Sequence, residues 1–448
     1  MSTVFCPRRW IAPGKSPICT TCSRLSRRVV CANAHPNRAS RPYLFLVPRR
    51  RMHMRRYRGG WCEEECCSMS GATRTLSRVG DTASRTWSLF PDAGEVRAED
   101  AFDIDALVTW LRAAVPDESL SGFPVIRQFS GGLSNLTYLL SFPHGDLVLR
   151  RPPRVWRAGG AHDVAREYRI QAELGPVFGY VPDMVALCED SGVIGTPFYV
   201  MDRVPGVVFR RDPPVEFDLT PDELAVLCTE VVDLLADLHT VDPGDANLSS
   251  LSQGAGYVAR QVSGWSERYR RVRTRNVASF ESVIAWLTDN QPPDRGVAMV
   301  HNAFRFDNIV FDSVARDRVG PVGPVALLDW EMATVGDPLM DLGSALAYWV
   351  ECDDGPLDKF LRRQPTHAAG MLTRDEVVEH YCRRRGIGLD DHEWAFYRVF
   401  GLFRLAVICQ QIFRRYHRKQ APTATVRLFG MAVVLLERRC RRIIRRSR

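Results

Sequence analysis

The sequence predicts an α+β fold in which a small antiparallel sheet lobe is followed by a larger, mainly helical lobe. Three observations lead there. Strand-like runs cluster early, at Pro124 to Phe129, Leu136 to Phe142 and Leu147 to Arg150, with the turn signal Pro143, His144, Gly145, Asp146 between the last two. A meander is the natural reading. Beyond Pro221, apolar residues recur at helical spacing in Leu224 to Leu238, Tyr257 to Val272 and Phe280 to Leu287. The chain has 448 residues, 45% hydrophobic and 25% charged, which is ordinary globular composition and excludes wholesale disorder.

The elements follow in chain order. Residues 1–68 hold 14 Lys and Arg against 3 Glu, a balance of +11, so the rest of the chain carries the remaining 46 basic and 49 acidic residues, a balance of −3. A near-neutral body gives no support to nucleic-acid or membrane binding, which is left to the basic ends as a third reading, and no specific nucleic-acid partner is expected. Seven of the 13 cysteines also fall in this first stretch, which shows no sustained period of 2 or 3.6. The expectation for residues 1–85 is a disordered, basic, Cys- and Arg-rich extension. A start at Met69 is the leading explanation of it, ahead of a genuine tail and of an organellar leader. Cys19 and Cys22 have zinc-like spacing, but no second pair follows at a suitable distance. The later cysteines are scattered singly, which fits reduced thiols in a cytoplasmic protein. No apolar run approaches the roughly 18 residues of a membrane helix, so no membrane span is expected.

Residues 86–119 are expected to form a helical cap, because Ile104, Leu107, Val108, Leu111 and Val115 recur every three to four positions before Pro116. Residues 120–205 carry the strands and a helical pattern from His162 to Leu174, closing on the strand Phe198 to Met201. Residues 206–437 form the helical lobe. The last stretch, 438–448, has seven arginines and is expected to be a solvated basic tail.

Four features carry chemistry. Ser130, Gly131, Gly132, Leu133, Ser134 and Asn135 lie between two strands, where small residues let backbone N–H groups approach phosphate oxygens. An ordinary glycine turn would read the same. Arg150 ends a strand and Glu167 follows on the next helix, so that a cation could hold phosphates while a carboxylate fixes its rotamer. A surface ion pair is the alternative. His301, Asn302, Ala303, Phe304, Arg305, Phe306, Asp307 and Asn308 form a polar loop between two apolar runs, where catalytic groups usually sit. Finally, Ala326 to Leu328 would deliver Asp329 at a strand end, ahead of Trp330 and Glu331, as a hard oxygen ligand for Mg²⁺.

In this order, the motifs resemble the aminoglycoside phosphotransferase superfamily, and within it the kinase-like domains related to acyl-CoA dehydrogenases. Those domains read HGDYRLDN and LDWE after VLR and REY. This chain reads HNAFRFDN, LDWE, VLR and REY, together with VIGTPFYVM at 193–201, and the likeness spans about residues 120–415. The resemblance implies a protein-kinase-like bilobal fold with ATP between the lobes. It implies that Gly131, Gly132, Ser134, Asn135, Arg150 and Glu167 serve the nucleotide phosphates, and that Asp202 to Val204 form the hinge beside adenine. Asn308 and Asp329 would hold Mg²⁺, and Arg305 would face the transferred phosphate.

One departure limits the implied activity. The family's catalytic Asp is the third residue of its loop motif, where this chain has Ala303, and the preceding glycine is Asn302. That Asp orients the acceptor hydroxyl and takes its proton. The expectation is therefore an ATP- and Mg²⁺-dependent phosphotransferase of weakened activity toward a small-molecule hydroxyl, hydroxyacyl-CoA-like or aminoglycoside-like. The alternative is a silent nucleotide-binding protein with a regulatory or scaffold role. Asp307 is not expected to replace the base. His239 is expected to pack at a helix end and His301 to brace its loop. Asp337 and Asp341 are expected to bond the loop or cap a helix, and Trp394, Phe396, Tyr397, Phe400 and Phe403 to be core.

Overall fold

The computed structural model describes residues 93–117, 120–130, 135–153, 163–312, 322–418 and 424–447. The expectations for residues 1–85, Met69, Cys19, Cys22, Gly131, Gly132 and Ser134 lie outside the described residues. Six strands form one antiparallel sheet: Ala93–Gly94 (β1), Val125–Phe129 (β2), Leu136–Phe142 (β3), Gly145–Arg151 (β4), Met184–Cys188 (β5) and Phe198–Asp202 (β6), in the order β1-β2-β3-β4-β6-β5. The register of β3 on β4 runs from Leu136 opposite Arg151 to Phe142 opposite Gly145, so the turn tightens onto Pro143 and His144.

Strand alternation gives the sheet two different faces. Leu147 and Leu149 face a core with Tyr138, Leu140 and Phe198, closed by the amphipathic helix Ile104–Ala114 (α1) through Leu107 and Leu111. Val148 and Tyr199 face the other way, packing with Tyr168 of the helix Val164–Leu174 (α2). Arg150 lies two residues beyond Val148 and so shares that second face. Each of these helices begins on an aspartate cap, Asp103 accepting from the Ala106 N–H and Asp163 from the Arg166 N–H, both at 2.9 Å. Within residues 86–119, expected as a helical cap, the chain also forms the edge strand β1, whose two residues are too few to show a period in sequence.

After β6 the chain crosses to the second lobe through Asp202 to Gly206. Gly206 has φ +154, and a Cβ there would lie 2.4 Å from Val310 Cγ1 and 2.5 Å from Phe311 O, so a side chain has no room at this crossing. Val207–Val208 (β7) then pairs with Ile309–Phe311 (β9), which pairs with Pro324–Leu327 (β10); Ala298–Val300 (β8) pairs with Thr334–Gly336 (β11).

The rest is helical: Pro221–Leu238 (α3), Tyr257–Val272 (α4), Glu281–Asp289 (α5), Pro338–Leu346 (α6), Pro356–Leu361 (α7), Arg374–Arg385 (α8), Asp391–Arg418 (α9) and Ala424–Arg446 (α10). Helices α3 and α8 open on capping boxes, Thr220 with Glu223 and Thr373 with Glu376. Trp394, Phe396, Tyr397, Phe400 and Phe403 of α9 are all buried in the main core. Helix α6 approaches α9 so closely that a Cβ on Gly401 would lie 2.0 Å from Gly343 O.

Two sequence expectations change here. The segment 391–415 is long and apolar enough to cross a membrane by length and composition, but 72% of its most apolar window is buried inside the protein, as suits a core helix. The 438–448 stretch is no solvated tail through residue 446, because α10 continues to Arg446 with Cys440 and Ile444 buried. Val433, Leu436, Cys440 and Ile444 recur at helical spacing and seat this helix on the core, which leaves Arg438, Arg441, Arg442 and Arg445 exposed. The arginines had masked that apolar period.

Candidate active site between the two lobes

The site starts from one guanidinium. Arg150, on the sheet face that looks toward α2, has Nε 3.3 Å from Glu167 Oε2, and its Nη2 lies 2.5 Å from Asp329 Oδ1 and 3.5 Å from Glu331 Oε2. Strand β4 and helix α2 thus meet the end of β10 through a single cation. Asn135 joins the cluster, its Nδ2 donating to Glu331 Oε2 at 3.3 Å and to Glu167 Oε2 at 3.5 Å. Arg166 ties the same helix to the second lobe by donating to the carbonyls of Glu331 and Ala333.

Arg150 is the cation that these three carboxylates share. Burial pushes the Glu167 carboxyl up to about 7, with Arg150 pulling against that and Asp329 adding to it. Burial also opposes ionisation of Asp329, but Arg150, bonded directly to it, holds its carboxyl below the usual range. Their accessibility differs in the same sense: the Glu167 side chain is 1% exposed and that of Asp329 is 27%. Of that pair, Asp329 is the carboxylate an ion in the cleft can reach.

The loop from His301 to Asn308 is fixed from several sides. Asp341 of α6 accepts the N–H groups of His301 at 2.6 Å and Asn302 at 2.9 Å. The Ala303 N–H donates to His301 Nδ1 at 3.2 Å, so His301 Nε2 carries the proton donated to Leu328 O at 3.0 Å. Burial lowers the pKa of this imidazole, in keeping with a neutral brace. Asn302 sits at φ +61, in the left-handed region that glycine and asparagine accept most readily, so its replacement of the family glycine keeps the turn. Its Nδ2 donates to Met332 O at 3.3 Å, and Arg404 of α9 donates to its carbonyl at 2.5 Å.

At the far end of the loop, Asn308 Nδ2 donates to Ala303 O at 2.7 Å, which fixes the amide orientation and turns Oδ1 away from that bond. The Leu328 N–H donates to Asn308 O at 2.7 Å, so the main chains that carry Asn308 and Asp329 lie side by side. Asp329 itself adopts φ +69, an uncommon conformation for a residue with a Cβ. Asn308 and Asp329 carry a carboxamide oxygen and a carboxylate, donor types that suit Mg²⁺, which is usually held by one or two carboxylates with water and phosphate completing its shell. Among the described residues, no group of three or more His, Cys, Asp or Glu is arranged to hold a metal. Arg305 pairs with Asp307 at 2.9 Å and lies over the Tyr348 ring at 4.9 Å, so Asp307 is already committed to a cation.

The other residues singled out from sequence divide clearly. His239 closes α3, with Nδ1 2.6 Å from the Tyr381 hydroxyl and Nε2 3.2 Å from Asp341 Oδ2, a buried packing role. Asp337 caps α6 by accepting from Leu339 and Met340. Asp202 pairs with Leu147 at the end of β6, and half-buried Val204 follows it on the crossing between lobes. Glu331 and Arg166 enter the sequence reading only as parts of LDWE and REY, and Arg404 not at all. LDWE names Glu331, yet nothing in its spacing brings it to a strand 181 residues earlier.

Residues 125–376 match the phosphotransferase enzyme family. Acyl-CoA dehydrogenase family member 10 of Mus musculus is 34% identical over 341 residues, covering 76% of this chain and 31% of the relative. Acyl-CoA dehydrogenase family member 11 of Homo sapiens is 33% identical over 337 residues, covering 72% of this chain and 41% of the relative. The chain thus spans less than half the length of these curated relatives. Among solved structures, a protein of Ralstonia eutropha JMP134 provisionally named an aminoglycoside phosphotransferase superposes with a TM-score of 0.64 at 28% identity, covering 77% of this chain and 99% of that one. With a small sheet lobe, a larger helical lobe and a kinase-like cleft between them, this chain belongs to the phosphotransferase enzyme family.

Proposed function

We propose that this protein binds a Mg²⁺–nucleoside triphosphate, ATP above all, and transfers its terminal phosphoryl group to a small-molecule hydroxyl at a much reduced rate. The observation that carries the reading is an intact loop built around an alanine: Asp341, His301, Arg404 and Asn308 all hold the main chain of residues 301–303, while position 303 offers only a methyl group. Asn308 and Asp329 would hold the metal, which when bound neutralises and orients phosphate oxygens. Arg150, fixed by Glu167, would release Asp329 to that ion and turn to phosphate oxygens. Arg305 is the second cation for the transferred group. Gly131, Gly132 and Ser134 belong to this reading as the phosphate loop, and Asp202 to Val204 as the adenine hinge.

Alanine neither accepts a proton nor aligns a hydroxyl. Transfer through a loose transition state depends mostly on positioning and charge, which supports residual turnover. Ala303 also favours a second reading, nucleotide binding without transfer, in a regulatory role. The acceptor in the first reading is a hydroxyl compound of the kind the relatives' names suggest, acyl-CoA-like or aminoglycoside-like. The described cysteines are all free, which fits a reducing, cytoplasmic setting. Calorimetric titration with Mg²⁺–ATP tests the shared claim. Heat of binding at millimolar nucleotide is expected, and its absence removes both readings.

A further inference from the structure

A second group of cations stands beside the loop and is tied to it through the bond from Arg404 to Asn302 O. On α4, Trp265 and Arg268 lie three residues apart on one face. The Arg268 Cζ is 4.3 Å from the Trp265 ring centroid, and the Cζ of Arg404, from α9, is 5.0 Å from the same ring. Arg404 is 4% exposed, and its one hydrogen bond among the described residues is the one to Asn302 O. No carboxylate among the described residues pairs with either arginine. The contrast within this protein is direct: Arg150 faces three carboxylates, Arg305 has Asp307, and Arg151, fully buried without an ion pair among the described residues, makes hydrogen bonds to Tyr138 and to Asp100 O.

A nearly buried, uncompensated charge is costly unless something supplies the counter-charge. Arg268 adds to the strain, since burial, Arg404 and Arg271 all disfavour its protonated form. The Asn302 carbonyl that anchors Arg404 belongs to the peptide just before Ala303, where the acceptor hydroxyl would be aligned. Among the described residues, Arg404 donates through Nη2 alone, and its Nε and Nη1 make no hydrogen bond.

We propose that Arg268 and Arg404, set against Trp265, form the receiving site for an anionic group, phosphate or carboxylate, carried by the hydroxyl-bearing acceptor. The inference rests on the phosphotransferase reading and narrows it: the acceptor is an anion, and a polycation such as an aminoglycoside is repelled. The two guanidiniums come from different helices, so the pair is held apart by the core and not by a mobile loop.

The test is binding of small probes to the full chain with Mg²⁺–ATP titrated separately. Glycerol 3-phosphate and 3-hydroxybutyrate carry the two candidate anions, glycerol is the neutral control and kanamycin the cationic one. At least one anion is expected to bind more tightly than glycerol and kanamycin, with the preferred one identifying the source. Arg268→Gln, at a half-buried surface position, is expected to weaken that binding about ten- to hundredfold with an unchanged melting temperature. Arg404→Gln should do the same and Arg404→Lys should retain much of it; if these buried variants do not fold, Arg268→Gln decides. Equal or tighter binding of glycerol or kanamycin, no anion binding at tens of millimolar, or an Arg268→Gln protein that binds like the wild type overturns the proposal. Loss of Mg²⁺–ATP binding with anion binding intact overturns the phosphotransferase reading instead.

Discussion

Replacing Ala303 with aspartate returns a carboxylate to a loop position whose hydrogen bonds among the described residues are all made by the main chain. The Ala303 N–H already donates to His301 Nδ1 and its carbonyl already accepts from Asn308 Nδ2. Ala303→Asp therefore changes no main-chain bond. The residue is half-buried, so a new carboxylate reaches water and its ionised form is not sealed in. The folding cost should stay near about 1 kcal/mol, the centre of ordinary point-substitution effects.

The gain is in the barrier. A positioned base contributes about 10² to 10⁴ in rate, which at 1.36 kcal/mol per decade is about 3 to 5 kcal/mol. Intrinsic ATP hydrolysis is a suitable assay, because water stands in for the acceptor and no acceptor need be known. The expected outcome is a kcat raised by about two to four decades, with the Mg²⁺–ATP affinity from calorimetry unchanged. Equal turnover in the two proteins, with matched melting temperatures and matched nucleotide binding, would refute the argument that the missing carboxylate is what limits transfer.

Removing the shared cation by Arg150→Met leaves Glu167, Asp329 and Glu331 facing one another, and should destabilise the protein by about 3 to 5 kcal/mol in urea unfolding. Glu167 supplies a pH dependence: its folded value of about 7 lies above the ordinary 4.5, so between those values the folded protein keeps a proton the unfolded chain has lost. Its contribution to stability is therefore full below about pH 4.5 and is lost as the pH rises through about 7, a decline absent from Glu167→Gln in parallel denaturation series. Gly401→Ala would drive a methyl group to 2.0 Å from Gly343 O, backbone against backbone, and should cost about 3 kcal/mol of stability while disturbing the helix that carries Asp341.

The parts of this fold visible in sequence are those whose signal is local. Leu136–Phe142 and Tyr257–Val272 have the bounds their patterns suggest, because a strand in a meander and an amphipathic helix each announce themselves within their own residues. Strands β1 and β7, of two residues, and β8 and β11, of three, show no period at all; they exist only because a partner strand lies opposite. Helix α10 was hidden by its arginines although its apolar period is complete. In the cleft, sequence spacing placed Arg150 and Glu167 on neighbouring elements, yet said nothing of Glu331 closing on them or of Arg404 reaching the loop from α9, since those contacts join residues far apart in the chain.

The difference between His301 and residue 303 explains how a loop can keep its shape while losing its chemistry. His301 is buried, donates to Leu328 O and accepts from the Ala303 N–H, so a change there would break two bonds and open a cavity under Trp330, whose ring lies 4.7 Å away. Asp341 accepts two loop N–H groups and meets His239, and its loss would leave those donors unpaired in the core. Position 303 contributes only main-chain atoms to this network. Stability therefore resists substitution at the braces far more than at position 303, so the loop can keep its main-chain bonds with or without a carboxylate there. On the proposed reading, the rate of phosphoryl transfer then turns on a side chain that makes none of the loop's hydrogen bonds.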